Sequence, residues 1–176
     1  MAEAQYDFGL ASRLDADAVG EPGRRTFRLL VRSGNSSALV WIEKEQLLAL
    51  AVAIERVTAQ VAPEEVARAE VATLAGPVQD FPLNPTLEFH VGQLQLGHDV
   101  ANEQFLLLAS DAEHAEAEDE EHQAPTLTVR MEYRAAVRLA RQIAVLESSG
   151  RLRCVLCGQP MGPEPHHCPL SNGHIH

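Results

Sequence analysis

Cys154 and Cys157 stand two residues apart, and eight residues further on come His166 and, after one more, Cys168, a C-x2-C-x8-H-x-C pattern. All three cysteines and four of the eight histidines lie after Gly150, so metal-ligand density is confined to the tail. Thiolates and imidazoles bind zinc strongly because the ion is borderline-soft, and a two-residue gap lets both sulfurs reach one ion from a single turn. Gly158 would help that turn bend and aim backbone N–H groups at the sulfurs. Pro160, Gly162, Pro163 and Pro165 make a stiff return to the second ligand pair. The expected ligand set is Cys154, Cys157, His166 and Cys168. His167 competes with its neighbour for the third place, and His174 or His176 substitutes if the end folds back. Four protein ligands fill a tetrahedron and leave no position for water, which describes a structural zinc ion and not a catalytic one. A redox reading of Cys154 and Cys157 is disfavoured, because a Gly/Pro-rich loop follows where a thiolate-activating helix would be needed.

Other residues offer weaker chemistry. Gly20-Glu21-Pro22-Gly23-Arg24-Arg25 has the glycines and cations of an anion-binding turn but neither the lysine nor the hydroxyl of a phosphate loop, and a plain hairpin turn is favoured. Asp111, Glu113, Glu116, Glu118, Asp119, Glu120 and Glu121 form an acidic stretch without the ligand order of a calcium loop, so it is expected to be a solvated face. His90 and His98 flank one predicted strand and would be acid–base candidates only with a partner that spacing does not supply. Asp7, Asp15 and Asp17 fall in no pattern, and Trp41 is assigned to the core.

These residues must be held by a body of strands and helices. Ser12 to Glu21 alternates loosely, Gly20 to Gly23 supplies a turn, and Thr26 to Val31 and Ala38 to Ile42 read as two further strands around the polar loop Ser33 to Ser37. From Glu43 the period changes: Leu47, Leu50, Ala51, Ile54 and Val57 recur at three and four, which predicts a helix over about 43–62. Pro63-Glu64-Glu65 can open a short helix to about Leu74, and 63–86 is treated as a connector. Leu87 to His98 alternates with a slip at Gly92, Gln104 to Ala109 and Thr126 to Met131 are strands, and Tyr133 to Glu147 is a second periodic helix.

The two helices superpose at a displacement of 89 residues, which takes Leu47, Leu50, Ala51, Ile54 and Val57 onto Ala136, Leu139, Ala140, Ile143 and Leu146. The preceding strands align at a displacement of 78, Phe27 onto Phe105, the difference being absorbed by the acidic loop 111–125. The expected fold is therefore α+β: an antiparallel sheet from two β-β-β-α-like repeats, about 12–62 and 87–147, with two helices packed on it and a C-terminal zinc knuckle. The body is assigned to 1–149 and the knuckle to 150–176, which is too small to fold on apolar burial and would depend on the metal.

Composition narrows the function. With 45% hydrophobic and 22% charged residues the chain is globular, and no apolar run approaches the ~20 residues that span a bilayer. The net charge of −11 comes mostly from the acidic stretch, and a body that is not basic makes nucleic-acid binding unlikely. No secretory pattern opens the chain, so the cytoplasm is the expected compartment. The expected function is a non-enzymatic zinc-binding protein whose body recognises a protein partner. A rival reading is a hydrolase or transferase with a pocket between the repeats, using Arg24, Arg25 and His90 or His98; a third is nucleic-acid binding by the tail through Arg151 and Arg153.

Four segments resemble a family of uncharacterised proteins common in actinobacteria, the domain of unknown function 3090. They are Tyr6-Asp7-Phe8, Ala18 to Phe27, Ile42-Glu43-Lys44-Glu45-Gln46, and the ending Cys154 to Pro160 with His166 to Gly173. In that family the tail reads cysteine pair, histidine-any-cysteine-proline, then asparagine-glycine, a resemblance that implies His166 and Cys168 over His167. This chain departs in carrying His167 where an apolar residue is usual and in its enlarged acidic loop. The resemblance implies no activity.

Overall fold

A computed structural model describes residues 4–21, 23–68, 78, 80–114, 124–149, 154, 156 and 157. Its elements are β1 (Tyr6–Leu10), β2 (Arg13–Val19), β3 (Thr26–Ser33), β4 (Ser36–Ile42), α1 (Lys44–Val61), α2 (Pro63–Arg68), β5 (Leu87–Asp99), β6 (Gln104–Asp111), a 3-10 turn (Ala112–His114), β7 (Leu127–Glu132) and α3 (Tyr133–Ser148). After β1, the order is therefore three strands and a helix, α2, then three strands and a helix again.

The seven strands form one sheet in the order β1-β7-β6-β5-β4-β3-β2. It is mixed, which corrects the antiparallel expectation: β4 pairs β5 in parallel and β1 pairs β7 in parallel. The cause lies in the connections. Hairpins join β2 to β3, β3 to β4 and β5 to β6, but β4 reaches β5 only through α1, α2 and the connector, a crossover long enough to bring the chain back to the same end. Strand β1, not anticipated from the sequence, is five residues long and contains Gly9 at φ +60°, where the register against β7 shifts.

Both long helices lie on one face of the sheet. α1 buries Leu47, Leu50, Ala51 and Ile54, and α3 buries Ala136, Leu139, Ala140, Ile143 and Leu146. They close over a core built from Leu14, Leu29, Val31, Val40, Phe89, Phe105, Val129 and Met131 on alternate strand positions. At the start of α1 the Gln46 side chain accepts from the Glu43 N–H and donates to the Gly92 carbonyl at 3.0 Å. Gly92 is the site of the slip: the β5–β6 register shifts between Val91 and Gln93, and a Cβ at Gly92 would lie 2.8 Å from the Ala112 Cα.

The sheet curls until its ends meet. β1 and β2 occupy opposite edges, yet only Ala11 and Ser12 separate them; the Ala11 N–H donates to Arg130 of β7 and the Ser12 N–H to Arg32 of β3. Beyond this corner α3 takes the place of a missing strand. The Ala16 N–H of edge strand β2 donates to Gln142 Oε1 at 3.0 Å, and Arg138 Nη2 donates to the Leu14 carbonyl at 3.1 Å. The exposed edge is thereby covered by side chains that satisfy it.

The opposite face of β2–β4 is covered in part, with Trp41 left partly exposed. Connector residues are fastened across it: the Val78 N–H on Asp17, Asp80 on Arg13, Phe81 beneath the Arg32 guanidinium, and Thr86 exchanging hydrogen bonds with Ser37. Leu30 and Leu39, which point to this face, are buried. No helix among the described residues is long and apolar enough to cross a membrane.

Candidate functional site

The cysteine pair begins six residues beyond the end of α3. Cys154 is 4% exposed, and Cys157 is partly exposed in a turn with Leu156. Two thiols three positions apart are the chemistry a zinc knuckle requires of its first half. The other half of the expected set, His166 and Cys168, lies outside the described residues, as do His167, His174 and His176. Among the described residues no group of three or more His, Cys, Asp or Glu side chains is placed to hold a metal ion.

The densest polar arrangement was not anticipated. It runs across the face of the sheet away from the helices, where Asp17, Arg28, Trp41 and His90 stand in register on β2, β3, β4 and β5. Asp17 is fully buried and takes Arg28 Nε at 2.8 Å and Nη2 at 2.7 Å, while its Oδ2 also accepts from the Val78 N–H at 2.9 Å. The held guanidinium lies over the Trp41 ring, 5.5 Å from its centroid, and His90 stacks on Trp41 at 5.9 Å and 18°. Trp41 Nε1–H donates to Glu88 at 2.9 Å. Trp41 is therefore partly exposed on the outer face and not a core residue, because Val40 and Ile42 on either side of it point inward.

Two residues along β2, Asp15 is buried against Arg13, with Arg138 at 3.7 Å. The signal for this network was the alternation Arg13, Asp15, Asp17 on one strand opposite Arg28 and Arg32 on the next. Charges recurring every second residue within an apolar strand share one face.

The two candidate histidines do not meet. They stand eight residues apart on β5, about 25 Å along the strand, with the Gly92 bulge between them. His90 points outward, whereas His98 pairs across β6 with core residue Phe105. His98 Nε2 and the Tyr133 hydroxyl are 2.5 Å apart, and His98, Phe105 and Tyr133 form a ring cluster with 5.5 Å centroid separations. Burial pushes the Tyr133 hydroxyl pKa up, and Glu103 and Asp99 push it further, so the phenol keeps its proton and shares a hydrogen bond with the imidazole. This contact ties the β5 end to the first residue of α3.

Gly20 to Arg25 is a hairpin turn, with the Arg24 N–H donating to the Glu21 carbonyl and positive φ at Gly20 and Gly23. Arg25 is directed at the end of α3, where its Nη1 donates to Ser149 Oγ at 3.3 Å. Of the acidic stretch, Asp111 ends β6 and Glu113 lies in the 3-10 turn; residues 115–123 are outside the described set.

No curated protein and no solved structure matches the chain. A family match does extend over residues 6–168, from β1 through the C-x2-C-x8-H-x-C pattern. The chain belongs to the family described as Protein of unknown function (DUF3090).

Proposed function

We propose that the protein is a non-enzymatic, cytoplasmic zinc-binding module that recognises a protein partner through its α+β body and carries a structural zinc knuckle in its tail. The observation that carries the metal reading is Cys154, buried at 4% exposure, with Cys157 following in a turn. Together they open a pattern whose remaining ligands are His166 and Cys168. Such a set encloses the ion, so its role is to fold the tail and not to activate water.

The body is read as two copies of a β-β-β-α unit. Support comes from the element order and from Leu47, Leu50, Ala51 and Ile54 facing the core at positions that a displacement of 89 carries onto core residues of α3. Support for partner recognition comes from the outer row, where Trp41 lies between a fixed arginine and an exposed histidine; tryptophan and arginine dominate protein interfaces energetically. The separation of His90 from His98 on opposite sides of β5 weighs against an acid–base pair built from both.

Metal analysis of the purified protein tests the reading. A single zinc per chain is expected, lost in the Cys154→Ser, Cys157→Ser double variant while the circular dichroism of the body persists. Stoichiometric zinc in that variant would reject the ligand set. Capture from native cells, compared between wild type and Trp41→Ala, then tests the partner face.

A further inference from the structure

Gln142 and Arg138 satisfy the β2 edge of the sheet, and the Phe8 and Leu10 carbonyls of β1 accept from Ser33 Oγ. β5 is different, because its two neighbours use different lengths of it. β6 pairs with it from Val91 to Asp99, whereas β4 pairs only from Leu87 to His90, after which the chain leaves the sheet into α1. Gln46 Nε2 takes the Gly92 carbonyl at 3.0 Å. From Gln93 to Asp99, no strand among the described residues pairs with the side of β5 turned away from β6. Alternate residues of a strand direct both their N–H and C=O groups to one side, so every second residue of this stretch offers an unpaired donor and acceptor. Gln93 and Gln95 are exposed and Leu94 and Leu96 only partly buried.

We infer that the Gln93–Asp99 edge is a self-association surface, which takes the same edge of a second copy in antiparallel pairing about a two-fold axis at Leu96. Open edges are ordinarily blunted by lysine, proline, shortness or a bulge. This one contains no lysine, arginine or proline, and its bulge lies before it, at Gly92. Pairing along the whole edge fixes the register: Leu96 meets Leu96 of the other copy, Leu94 meets His98, Gln95 meets Gly97 and Gln93 meets Asp99. Each contact occurs twice, as a two-fold interface requires. Leu94 and Leu96 lie opposite Ala109 and Leu107 of β6 and pack at the margin of the core, so a strand laid beside them removes their remaining surface from water. On the other face Gln95 covers the flat Gly97. Asp99, the only charged residue of the edge, is bonded within its own turn to the Ala101 and Asn102 N–H groups. The register sets it against the neutral Gln93 amide, with the two Asp99 carboxylates at opposite ends of the joint. That self-match, which a foreign strand would not need, selects a second copy as the occupant.

Sedimentation of the full chain over a concentration series, under reducing conditions, tests this. Wild type is expected to pass from monomer to dimer. Residue 93 faces Asp99 twice across the axis, so Gln93→Lys is expected to tighten the dimer and Gln93→Asp to weaken it, each by about fivefold. Leu96→Lys places two cations at the axis and is expected to be monomeric with the circular dichroism of wild type. Should that variant fail to fold, the Gln93 pair decides, since Gln93 is exposed and both of its variants keep the fold. A wild type that stays monomeric at every concentration refutes the second copy and leaves the edge to an extended segment of another protein. A dimer whose strength is the same in both Gln93 variants forms elsewhere on the molecule, and one that both variants weaken has another register; either result overturns the proposal.

Discussion

Asp17 and Arg28 face each other across β2 and β3 with both carboxylate oxygens bonded to the guanidinium, at 2.8 and 2.7 Å, and the acid fully buried. A buried pair of this kind is costly to break from one side, since the remaining charge has no water to turn to. Asp17→Asn is expected to destabilise the fold by about 3–5 kcal/mol, and the double variant Asp17→Asn, Arg28→Met by clearly less. Urea midpoints of the two variants check this; equal losses would mean that the pair acts only through packing.

Gln142 is a polar residue at 3% exposure on α3, and its Oε1 is the acceptor for the Ala16 N–H on the sheet edge. Gln142→Leu keeps much of the volume but leaves that buried donor unpaired, at an expected cost of about 1–3 kcal/mol. Arg138 makes the neighbouring contact to Leu14 from a side chain that is 48% exposed. Arg138→Ala is therefore expected to change stability by no more than about 1 kcal/mol. Denaturation of the two single variants side by side separates edge satisfaction from surface charge.

Asp80 clips the connector to Arg13, and the hydrogen bond from Arg13 holds its carboxyl pKa below the ordinary value. A carboxyl that is more acidic in the folded chain than in the unfolded one adds stability above its unfolded pKa and loses it as pH falls through the folded one. Asp80→Asn should thus lower the denaturant midpoint at neutral pH, with the gap to wild type closing in strong acid. A gap that stays constant over that range would show that the carboxylate charge contributes nothing to the clip.

What could be read from the sequence follows the range over which each signal acts. The α1 and α3 stripes were legible because a three-and-four spacing is local, and the Gly92 slip because a glycine interrupts an alternating run. The parallel pairing of β4 with β5 was not legible, since it depends on the course of residues 62–86, where proline and glycine leave no period. Trp41 faces outward despite its residue type, because strand parity decides: Val40 and Ile42 on either side of it take the inward positions. The Asp17–Arg28 pair needed the β2–β3 register, which the turn at Gly20 to Arg25 sets without revealing which acid meets which base. The C-x2-C spacing of Cys154 and Cys157 is a local feature of the chain and needs no tertiary information to be noticed.

Gly92 is expected to be intolerant of a side chain while Gly97, on the same strand, is not. At Gly92 an added Cβ would meet the Ala112 Cα at 2.8 Å, a backbone atom that can yield only if the 3-10 turn moves. At Gly97 the nearest atom is the Leu106 Cβ at 3.4 Å, an ordinary contact. Gly92→Ala should cost about 1–3 kcal/mol through overpacking. Gly97→Ala should be neutral or stabilising by up to about 1 kcal/mol, because the unfolded chain loses freedom. Thermal midpoints of the pair measure the difference, and equal midpoints would mean that the bulge is not held by contact with Ala112.

His166 and His167 offer the last discrimination, since adjacent imidazoles cannot both take the third place around one ion in the expected ligand set. Spacing alone does not separate the two, and the resemblance of the tail to a histidine-any-cysteine-proline ending implies His166. His167→Ala should therefore retain a single zinc per chain against a competing chelator, whereas His166→Ala should release it at a lower chelator concentration, as removal of one of four ligands opens a coordination position to water. Metal retention measured across a chelator series decides between them. The reverse ranking would move the ligand to His167, and equal retention in both single variants would assign the third position to His174 or His176.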